Sequence, residues 1–274
     1  MRGGVLIATD LDRTLVYSLA AAGEPRPGEP GWVVVEHLDG RAISHMSVLG
    51  AGRYEALARR WPVIPVTTRT PAQLARIRLP GPPARHAVAA NGAVLLEDGE
   101  ADPAWAESVA AALTNVAPLA EAQEALARAC TGDPTARRHT VPGLFCYAVV
   151  DRPAFTDERL DALRAWGASA GWGVSLQGRK LYLVPVVLAK SAAVAEVARR
   201  TGATTVLAAG DSLLDTDLLE FAHLAVRPGH GELADLGWTR PHVTALTATG
   251  IRAGEEVLAW FSARAAEVTA TGAG

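Results

Sequence analysis

The feature that most constrains the fold is a short apolar run, Val5 to Ala8, which leads through Thr9 into Asp10 and Asp12. Small and β-prone apolar residues without alternating polar positions predict a strand that is buried on both faces. Such strands occur in parallel sheets covered by helices, where ligands bind beyond the carboxyl ends of the strands. Asp10 and Asp12 are two residues apart, so both side chains can face the same space at that edge.

Two later apolar runs also end in polar side chains. Trp61 to Val66 is followed by Thr67, and Thr204 to Ala209 is followed by Asp211. Helical patterns separate the runs, at residues 52–60, 71–78, 189–200 and 250–266. Alternating strands and helices predict a doubly wound parallel sheet with right-handed crossovers. The predicted fold class is therefore α/β, with a Rossmann-like parallel sheet as its core.

The alternation is interrupted between residues 98 and 184. This segment predicts helices at 104–130 and 156–170, a strand at 143–150 and a pair of strands within 172–184. A block with helices and strands of its own predicts an inserted α/β domain. We therefore expect a core domain of residues 1–97 and 185–274, and an inserted domain of residues 98–184.

Turn signals predict the connections within the first part of the core. Trp32 to Ser47 has the pattern of a β-hairpin around Asp39-Gly40, placed where it could fold over the edge of the sheet as a flap. Val88 to Leu96 predicts two strands around the turn Asn91-Gly92. Ser18 to Gly31 is rich in Ala, Gly and Pro and predicts a loop.

The composition limits the class of protein. Apolar residues make up 49% and charged residues 20% of 274 residues, which is typical of a globular chain. The net charge of −3 disfavours nucleic acid as the main partner. Cys130 and Cys146 are too few for a disulfide framework and lack the spacing of a zinc site. No apolar run approaches the length of a membrane span, so we expect a cytoplasmic protein without a membrane partner.

The lysines of this chain are unusual. Among 26 basic side chains only Lys180 and Lys190 are lysines. Lys190 lies at the predicted start of a helix, where the helix dipole disfavours a cation. A rare lysine in an unfavourable position indicates a chemical requirement.

Polar residues at strand ends and helix starts form one candidate site. Acidic groups gathered at one edge repel one another unless a cation joins them, and oxygen ligands select a hard ion such as Mg²⁺. A lysine beside the ion supplies a charge for phosphate, and a threonine hydroxyl supplies a directed hydrogen bond. The predicted set is Asp10, Asp12, Thr67, Lys190, Asp211 and Asp215.

These residues predict phosphoryl transfer to a carboxylate. Asp10 would attack phosphorus and form an aspartyl-phosphate, with Asp12 as the acid for the leaving alcohol and then as the base for water. Thr67 and Lys190 would hold the phosphoryl oxygens. Mg²⁺ would be held by Asp10 and Asp211, with Asp215 behind them.

The same segments resemble the haloacid dehalogenase superfamily of phosphatases. Its four motifs occur in order as DLDRTL at 10–15, Thr67, Lys190 and GDSLLD at 210–215. The insert between the second and third motifs resembles the α/β cap of the Cof-type branch. The segments 63–70 and 90–93 are similar to those of mannosyl-3-phosphoglycerate and sucrose-phosphate phosphatases. The resemblance also implies that the backbone carbonyl of Asp12 ligates Mg²⁺.

The chain departs from the family pattern at two positions. Thr68 stands where many relatives have glycine, and Leu214 stands where many have asparagine. The loss of that polar neighbour could weaken metal binding. Further candidates are Ser212, beside the metal ligands, and Arg137, Arg138, Arg179 and Lys180 for the leaving group; the predicted substrate-binding residues are Thr68, Arg69 and Asn91.

The predicted function is a Mg²⁺-dependent phosphomonoester hydrolase that acts on a small phosphorylated metabolite, such as a sugar phosphate. A phosphomutase or phosphotransferase would use the same residues with a second hydroxyl as acceptor. A phospho-acceptor signalling domain also uses aspartate, threonine and lysine, although it needs no inserted domain. The leaving group and the oligomeric state are left open by the sequence.

Overall fold

The computed structural model describes residues 4–23 and 31–271. The chain divides into two compact units. Unit 1 comprises Met1–Ala101 and Lys190–Gly274, and unit 2 comprises Asp102–Ala189.

Within the described residues the strands are, in chain order, β1 (Gly4–Thr9), β2 (Trp32–Leu38), β3 (Arg41–Ser47), β4 (Val63–Pro65), β5 (His86–Ala89), β6 (Val94–Glu97), β7 (Glu100–Ala101), β8 (Arg137–Val141), β9 (Phe145–Val149), β10 (Trp172–Gln177), β11 (Lys180–Pro185), β12 (Ala203–Ala209), β13 (Leu224–Arg227) and β14 (Val243–Ala245). The α-helices of the same residues are α1 (Leu19–Ala22), α2 (Val48–Arg60), α3 (Pro71–Leu74), α4 (Pro103–Leu113), α5 (Leu119–Ala129), α6 (Asp157–Ala170), α7 (Lys190–Thr201), α8 (Thr216–Phe221), α9 (Glu232–Asp235) and α10 (Ile251–Thr271).

Unit 1 is organised around a parallel sheet with the strand order β14-β13-β12-β1-β4. On one face, Val5 and Ile7 of β1 pack in a cluster with Leu57 of α2 and Phe261 of α10. On the other face, α7 packs against β1 and β12, and α8 packs against β12 and β13. Helices on both faces explain why β1 is apolar without alternation. The predicted α/β fold class with a Rossmann-like parallel sheet is confirmed.

Two smaller antiparallel sheets complete unit 1. The predicted hairpin forms from β2 and β3. A second sheet contains β5, β6 and β7, and a short 3₁₀ turn at Ala90–Gly92 joins β5 to β6 around the predicted Asn91-Gly92 turn.

Unit 2 is an α/β unit of its own. Its antiparallel sheet has the order β10-β11-β9-β8. Helix α5 packs against β9, and α6 packs against β10. The strand β8 was not predicted, because its arginine, histidine and threonine side chains lack the apolar pattern of a strand. Its hydrogen bonds to the whole length of β9 hold it in the extended conformation.

Two predicted elements differ in the structure. The helix expected at 71–78 ends at Leu74, because the chain then turns so that the backbone N–H of Arg78 donates to the carbonyl of Val35 at 2.7 Å. The loop expected at 18–31 contains the short helix α1, while its residues 24–30 lie outside the described residues. Every helix in residues 4–23 and 31–271 is too short or too polar to cross a lipid bilayer.

Candidate active site

Asp10 and Asp211 are brought together because they follow adjacent parallel strands. Thr9 and Ala209 are register partners at the ends of β1 and β12, and the backbone N–H of Asp10 donates to the carbonyl of Ala209 at 2.9 Å. Gly210 is required between Ala209 and Asp211, since a Cβ there would lie 2.4 Å from the Cβ of Asp215. The predicted meeting of acidic strand ends is present at this edge of the sheet.

Lys190 lies at the start of α7 and is buried, with 1% of its surface exposed. Its Nζ donates to Oδ1 of Asp10 at 2.9 Å and to Oδ1 of Asp215 at 2.5 Å. The ammonium therefore bridges the residue after β1 and the acidic turn after β12. These two contacts offset the unfavourable position of a cation at a helix start.

Asp215 organises the turn that follows β12. Its Oδ2 accepts hydrogen bonds from the backbone N–H groups of Asp211 and Ser212 and from the hydroxyl of Ser212, at 2.8–3.1 Å. Its Oδ1 accepts from Lys190. Both oxygens are thus engaged by the protein, and Asp215 fixes the position of Asp211 and Ser212.

Burial first, and neighbouring carboxylates second, raise the pKa of Asp10 and of Asp211. Burial raises the pKa of Asp10, Lys190 opposes this shift, and Asp215 and Asp12 add to it, for a value of about 7. Burial, Asp215 and Asp10 raise the pKa of Asp211 well above its ordinary range. For Lys190 burial would lower the pKa, but Asp10 and Asp215 outweigh burial and raise it. The cluster therefore has more carboxylate charge than its ammonium balances.

This donor set fits a hard divalent cation. Asp10, Asp211 and Asp215 are buried, and each offers one carboxylate oxygen within 4.8 Å of those of the others. Oxygen ligands with excess negative charge suit Mg²⁺. Because both oxygens of Asp215 are engaged, Asp10 and Asp211 are better placed to bind an ion directly.

Arg13 contacts the same cluster. The residue has a left-handed backbone with φ of 66°, and its Nε lies 3.3 Å from Oδ2 of Asp211. His230 supports this conformation, since its Nε2 lies 2.7 Å from the carbonyl oxygen of Arg13. A role for Arg13 was not predicted from the sequence, because its position within DLDRTL gives no sign of a contact to Asp211.

Thr67 and Asn91 belong to two loops that are hydrogen bonded to each other beyond β4. Thr67 is fully buried, and its Oγ1 accepts from the backbone N–H of Arg69 at 3.2 Å. The N–H of Asn91 donates to the carbonyl of Thr67 at 2.9 Å, and Asn91 is buried with φ of 56°. Thr68 is half-buried. Their contacts with substrate stay predictions.

Asp12 forms a second charged cluster, with Arg69 and Glu36. Arg69 donates from Nε to Oδ2 of Asp12 at 2.7 Å and from Nη2 to Oδ1 at 2.8 Å. Its Nη1 donates to Oε2 of Glu36 at 2.9 Å. Glu36 was not predicted from the sequence as a site residue. It follows three valines in β2, and a charged residue directly after such an apolar run was the signal that could have indicated it. Arg69 as a substrate-binding residue stays a prediction.

The candidates in unit 2 lie on the surface of its sheet. Arg137 and Arg138 are exposed on β8, and Arg179 and Lys180 are exposed at the β10–β11 turn. The Nε of Arg179 donates to the carbonyl of Val150. Their role toward a leaving group stays a prediction.

No known family profile matches the chain, and no curated protein is similar to it in sequence. Several solved structures are similar in fold. The sucrose-phosphatase of Synechocystis sp. PCC6803, solved with sucrose and phosphate, has 16% identity and a TM-score of 0.61 over 96% of this chain and 99% of that chain.

Two further structures are similar over nearly the whole chain. The C-terminal domain of the trehalose-6-phosphate phosphatase of C. albicans has 13% identity and a TM-score of 0.59, over 95% of this chain and 93% of that one. A subclass IIB sugar phosphatase of the haloacid dehalogenase superfamily has 13% identity and a TM-score of 0.58, over 94% and 98%. The chain therefore shares its fold with these solved phosphatases.

Proposed function

We propose that the protein is a phosphomonoester hydrolase that acts on a small phosphorylated metabolite through a phosphoryl group carried by Asp10. The observation that carries the proposal is the buried ammonium of Lys190, which bridges Asp10 and Asp215 next to Asp211. Such a centre holds a nucleophilic carboxylate beside a fixed positive charge, as transfer of a phosphoryl group requires.

In the first half-reaction an oxygen of Asp10 attacks phosphorus, and the bond from phosphorus to the ester oxygen breaks. The electron pair of that bond goes to the leaving oxygen, which takes a proton from Asp12. The products are an alcohol and the phosphorylated Asp10. Lys190 and the hydroxyl of Thr67 stabilise the phosphoryl oxygens.

In the second half-reaction Asp12 accepts a proton from water, whose oxygen attacks the phosphorus on Asp10. The bond from phosphorus to the Asp10 oxygen breaks, and phosphate leaves. Asp12 thereby regains the proton that it gave to the alcohol, and Asp10 regains its carboxylate.

Asp10 and Asp211 would hold Mg²⁺, with Asp215 orienting Asp211 through the backbone. When bound, the ion would neutralise part of the charge shared by Asp10 and the phosphate. The raised pKa values of Asp10 and Asp211 support this assignment, because burial and the neighbouring carboxylates that cause them make unpaired negative charge costly there, and a bound cation would offset that cost.

A phosphorylated sugar is the proposed substrate class. The similar structures include a sucrose-phosphatase, a trehalose-6-phosphate phosphatase and a sugar phosphatase, and each has an extent close to that of this chain. We propose unit 2 as the cap domain of this protein, with Arg137, Arg138, Arg179 and Lys180 as candidates for contacts to the sugar.

The test is release of phosphate from a panel of phosphorylated sugars, nucleotides and glycerate derivatives, with Mg²⁺ and then with a chelator. We expect turnover of at least one sugar phosphate, and loss of turnover with the chelator. Asp10→Asn should lower kcat by at least about a thousandfold, because the amide is a poor nucleophile. Isotopically labelled water should place its oxygen in the phosphate; transfer to a second hydroxyl would indicate a mutase instead.

Asp217→Asn is the matched control. Asp217 accepts a hydrogen bond from the backbone N–H of Ser191 at 2.7 Å, close to Lys190 but outside the proposed machinery. It should keep turnover within about threefold of the wild type. Turnover by Asp10→Asn at the level of this control would contradict the proposal.

A further inference from the structure

The hairpin β2–β3 carries an irregularity that turns a glutamate inward. Val34 pairs with His45, and Glu36 pairs with Ser44, so Val35 is an extra residue on β2. This β-bulge makes the consecutive residues Val35 and Glu36 both buried, where a regular strand would bury only one of them. Bulges that redirect a side chain are frequent next to active sites.

Glu36 is fully buried and is held by three side chains. Its Oε2 accepts from the hydroxyl of Ser44 at 2.6 Å and from Nη1 of Arg69 at 2.9 Å. Its Oε1 accepts from Nε of Arg76 at 3.1 Å. A buried carboxylate is costly unless charged partners satisfy it, and here two guanidinium groups do so.

Arg69 is shared between this buried glutamate and Asp12. The guanidinium is planar, so fixing Nη1 on Glu36 also fixes the direction of Nε and Nη2, which form the fork that holds Asp12. The exposed fraction of the side chain is 0% for Glu36, 12% for Arg69 and 33% for Asp12. Asp12 is therefore the residue of these three that can reach a ligand, and Arg69 and Glu36 hold it in place.

From this geometry we propose that Glu36 is a positioning residue: it orients Arg69, and Arg69 holds Asp12 where it exchanges a proton with the leaving oxygen. The proposal rests on the proposed function. Arg69 also stabilises the carboxylate that Asp12 becomes once its proton has moved to the leaving oxygen. Each Asp12 oxygen has two lone-pair sites, so one site can accept from the Arg69 fork while another carries the proton that Asp12 donates to the leaving oxygen.

The proposal predicts an effect that depends on the leaving group. An alkoxide leaving from a sugar phosphate needs a proton, whereas 4-nitrophenolate is stable without one. A misplaced Asp12 therefore slows the first half-reaction of the sugar phosphate, which kcat/KM reports, and has little effect on the first half-reaction of 4-nitrophenyl phosphate. The second half-reaction, in which Asp12 is the base, is common to both substrates. A general loss of folding or of phosphate binding would slow both reactions.

The experiment measures kcat and KM of Glu36→Gln on both substrates, with the sugar phosphate taken from the panel that the wild type hydrolyses. The amide keeps the shape of the side chain but removes the charge that orients Arg69. We expect kcat/KM on the sugar phosphate to fall by about 10- to 100-fold, as for a small misplacement of a catalytic group, and kcat/KM on 4-nitrophenyl phosphate by less than about threefold. This ratio reports the steps up to the phosphorylation of Asp10, so the later use of Asp12 as a base does not enter it.

Arg76→Gln is the matched control. It removes the other guanidinium from Glu36 but leaves the contacts of Glu36 to Arg69 and of Arg69 to Asp12 in place. Its kcat/KM on both substrates should stay within about threefold of the wild type. A loss confined to the sugar phosphate and as large as that of Glu36→Gln would overturn the proposal, because hairpin packing would then account for it.

Arg69→Lys is the second variant, in case Glu36→Gln does not fold. A lysine keeps the charge but cannot bind Asp12 through two parallel hydrogen bonds while also reaching Glu36. We expect the same selective loss on the sugar phosphate. Equal losses of kcat/KM on both substrates, or no loss on either, would overturn the positioning role, whereas a wild type that hydrolyses neither substrate would overturn the proposed function itself.

Discussion

The two charged clusters of unit 1 differ in how their charge is balanced. In the cluster of Asp10, Asp211 and Asp215, the ammonium of Lys190 contacts two of the three buried carboxylates. Within residues 4–23 and 31–271, the partly exposed Arg13 adds a second positive charge, at Asp211. In the second cluster the carboxylates of Asp12 and Glu36 meet the guanidinium groups of Arg69 and Arg76.

The difference indicates two kinds of role. The first cluster has an excess of negative charge that a divalent cation would offset, and its carboxylates add to the rise in pKa that burial causes at Asp10 and Asp211. The second cluster matches two carboxylates with two guanidinium groups, so its function is to hold a side chain in place. Changes of charge should therefore affect the first cluster through metal and proton binding, and the second through geometry.

The largest expected effect is on the first cluster, by removal of its buried cation. Lys190→Gln leaves Asp10 and Asp215 without their ammonium, and loss of one partner from a buried ion pair should lower the free energy of unfolding by about 3–5 kcal/mol. Urea denaturation measures this change. The matched control is Lys180→Gln, which removes the exposed lysine of unit 2 and should change that free energy by less than about 0.5 kcal/mol. Equal losses of unfolding free energy in Lys190→Gln and Lys180→Gln would contradict the view that the first cluster depends on its buried ammonium.

The next effect is the pH dependence of stabilisation by Mg²⁺. The pKa of Asp10 is raised from 3.8 to about 7, so the folded state binds this proton more tightly than the unfolded state. The contribution of Asp10 to the free energy of unfolding of the metal-free protein therefore falls as the pH rises from 3.8, the pKa in the unfolded state, to about 7, the pKa in the folded state. Mg²⁺ competes with the proton, so the rise in Tm on adding Mg²⁺ should be larger at about pH 8 than at about pH 5.

Thermal denaturation with Mg²⁺ and with a chelator measures this difference. Asp211→Asn serves as the control, because removal of a proposed ligand should reduce the Mg²⁺-dependent rise in Tm at the higher pH. A rise that is the same at both pH values would contradict the assignment of the excess negative charge to these carboxylates.

The smallest expected effect concerns Arg13, whose guanidinium lies where it partly neutralises Asp211. Arg13→Asn removes this competing charge, and asparagine adopts a left-handed backbone more readily than arginine does. We expect the Kd for Mg²⁺, measured by calorimetry on the metal-free protein, to decrease by about threefold, since the pair is partly exposed and screened. Arg128→Asn, which replaces an exposed arginine of unit 2, should leave the Kd for Mg²⁺ unchanged. A higher Kd in Arg13→Asn would show that Arg13 supports the metal site instead.

The elements that carry the first cluster could be predicted from the sequence. Parallel strands buried on both faces are apolar throughout, so the residue that ends each strand marks the edge of the sheet, as at Asp10 and Asp211. The scarcity of lysine, together with a position at the start of a predicted helix, indicated Lys190 from the sequence alone. Asp215 was predicted as a member of the site. The hydrogen bonds that occupy both of its oxygens, from Lys190, from Ser212 and from the backbone N–H of Asp211, depend on the turn geometry.

The second cluster could not be predicted in the same way. Alternation along β2 would place Glu36 on the face opposite to Val35, and only the bulge reverses this. The short α3 is another example, because the pairing of Arg78 with the hairpin ends a helix that the local sequence would continue.

By itself, then, the sequence determined the parallel sheet, the inserted α/β unit and the acidic strand ends, because these follow from local patterns of apolar and polar residues. Only the tertiary structure decided that Asp12 is bound by Arg69 and that Arg69 is oriented by Glu36. The reason is physical: these contacts join strand ends to a hairpin whose register is set by pairing between strands, and no local pattern records that register.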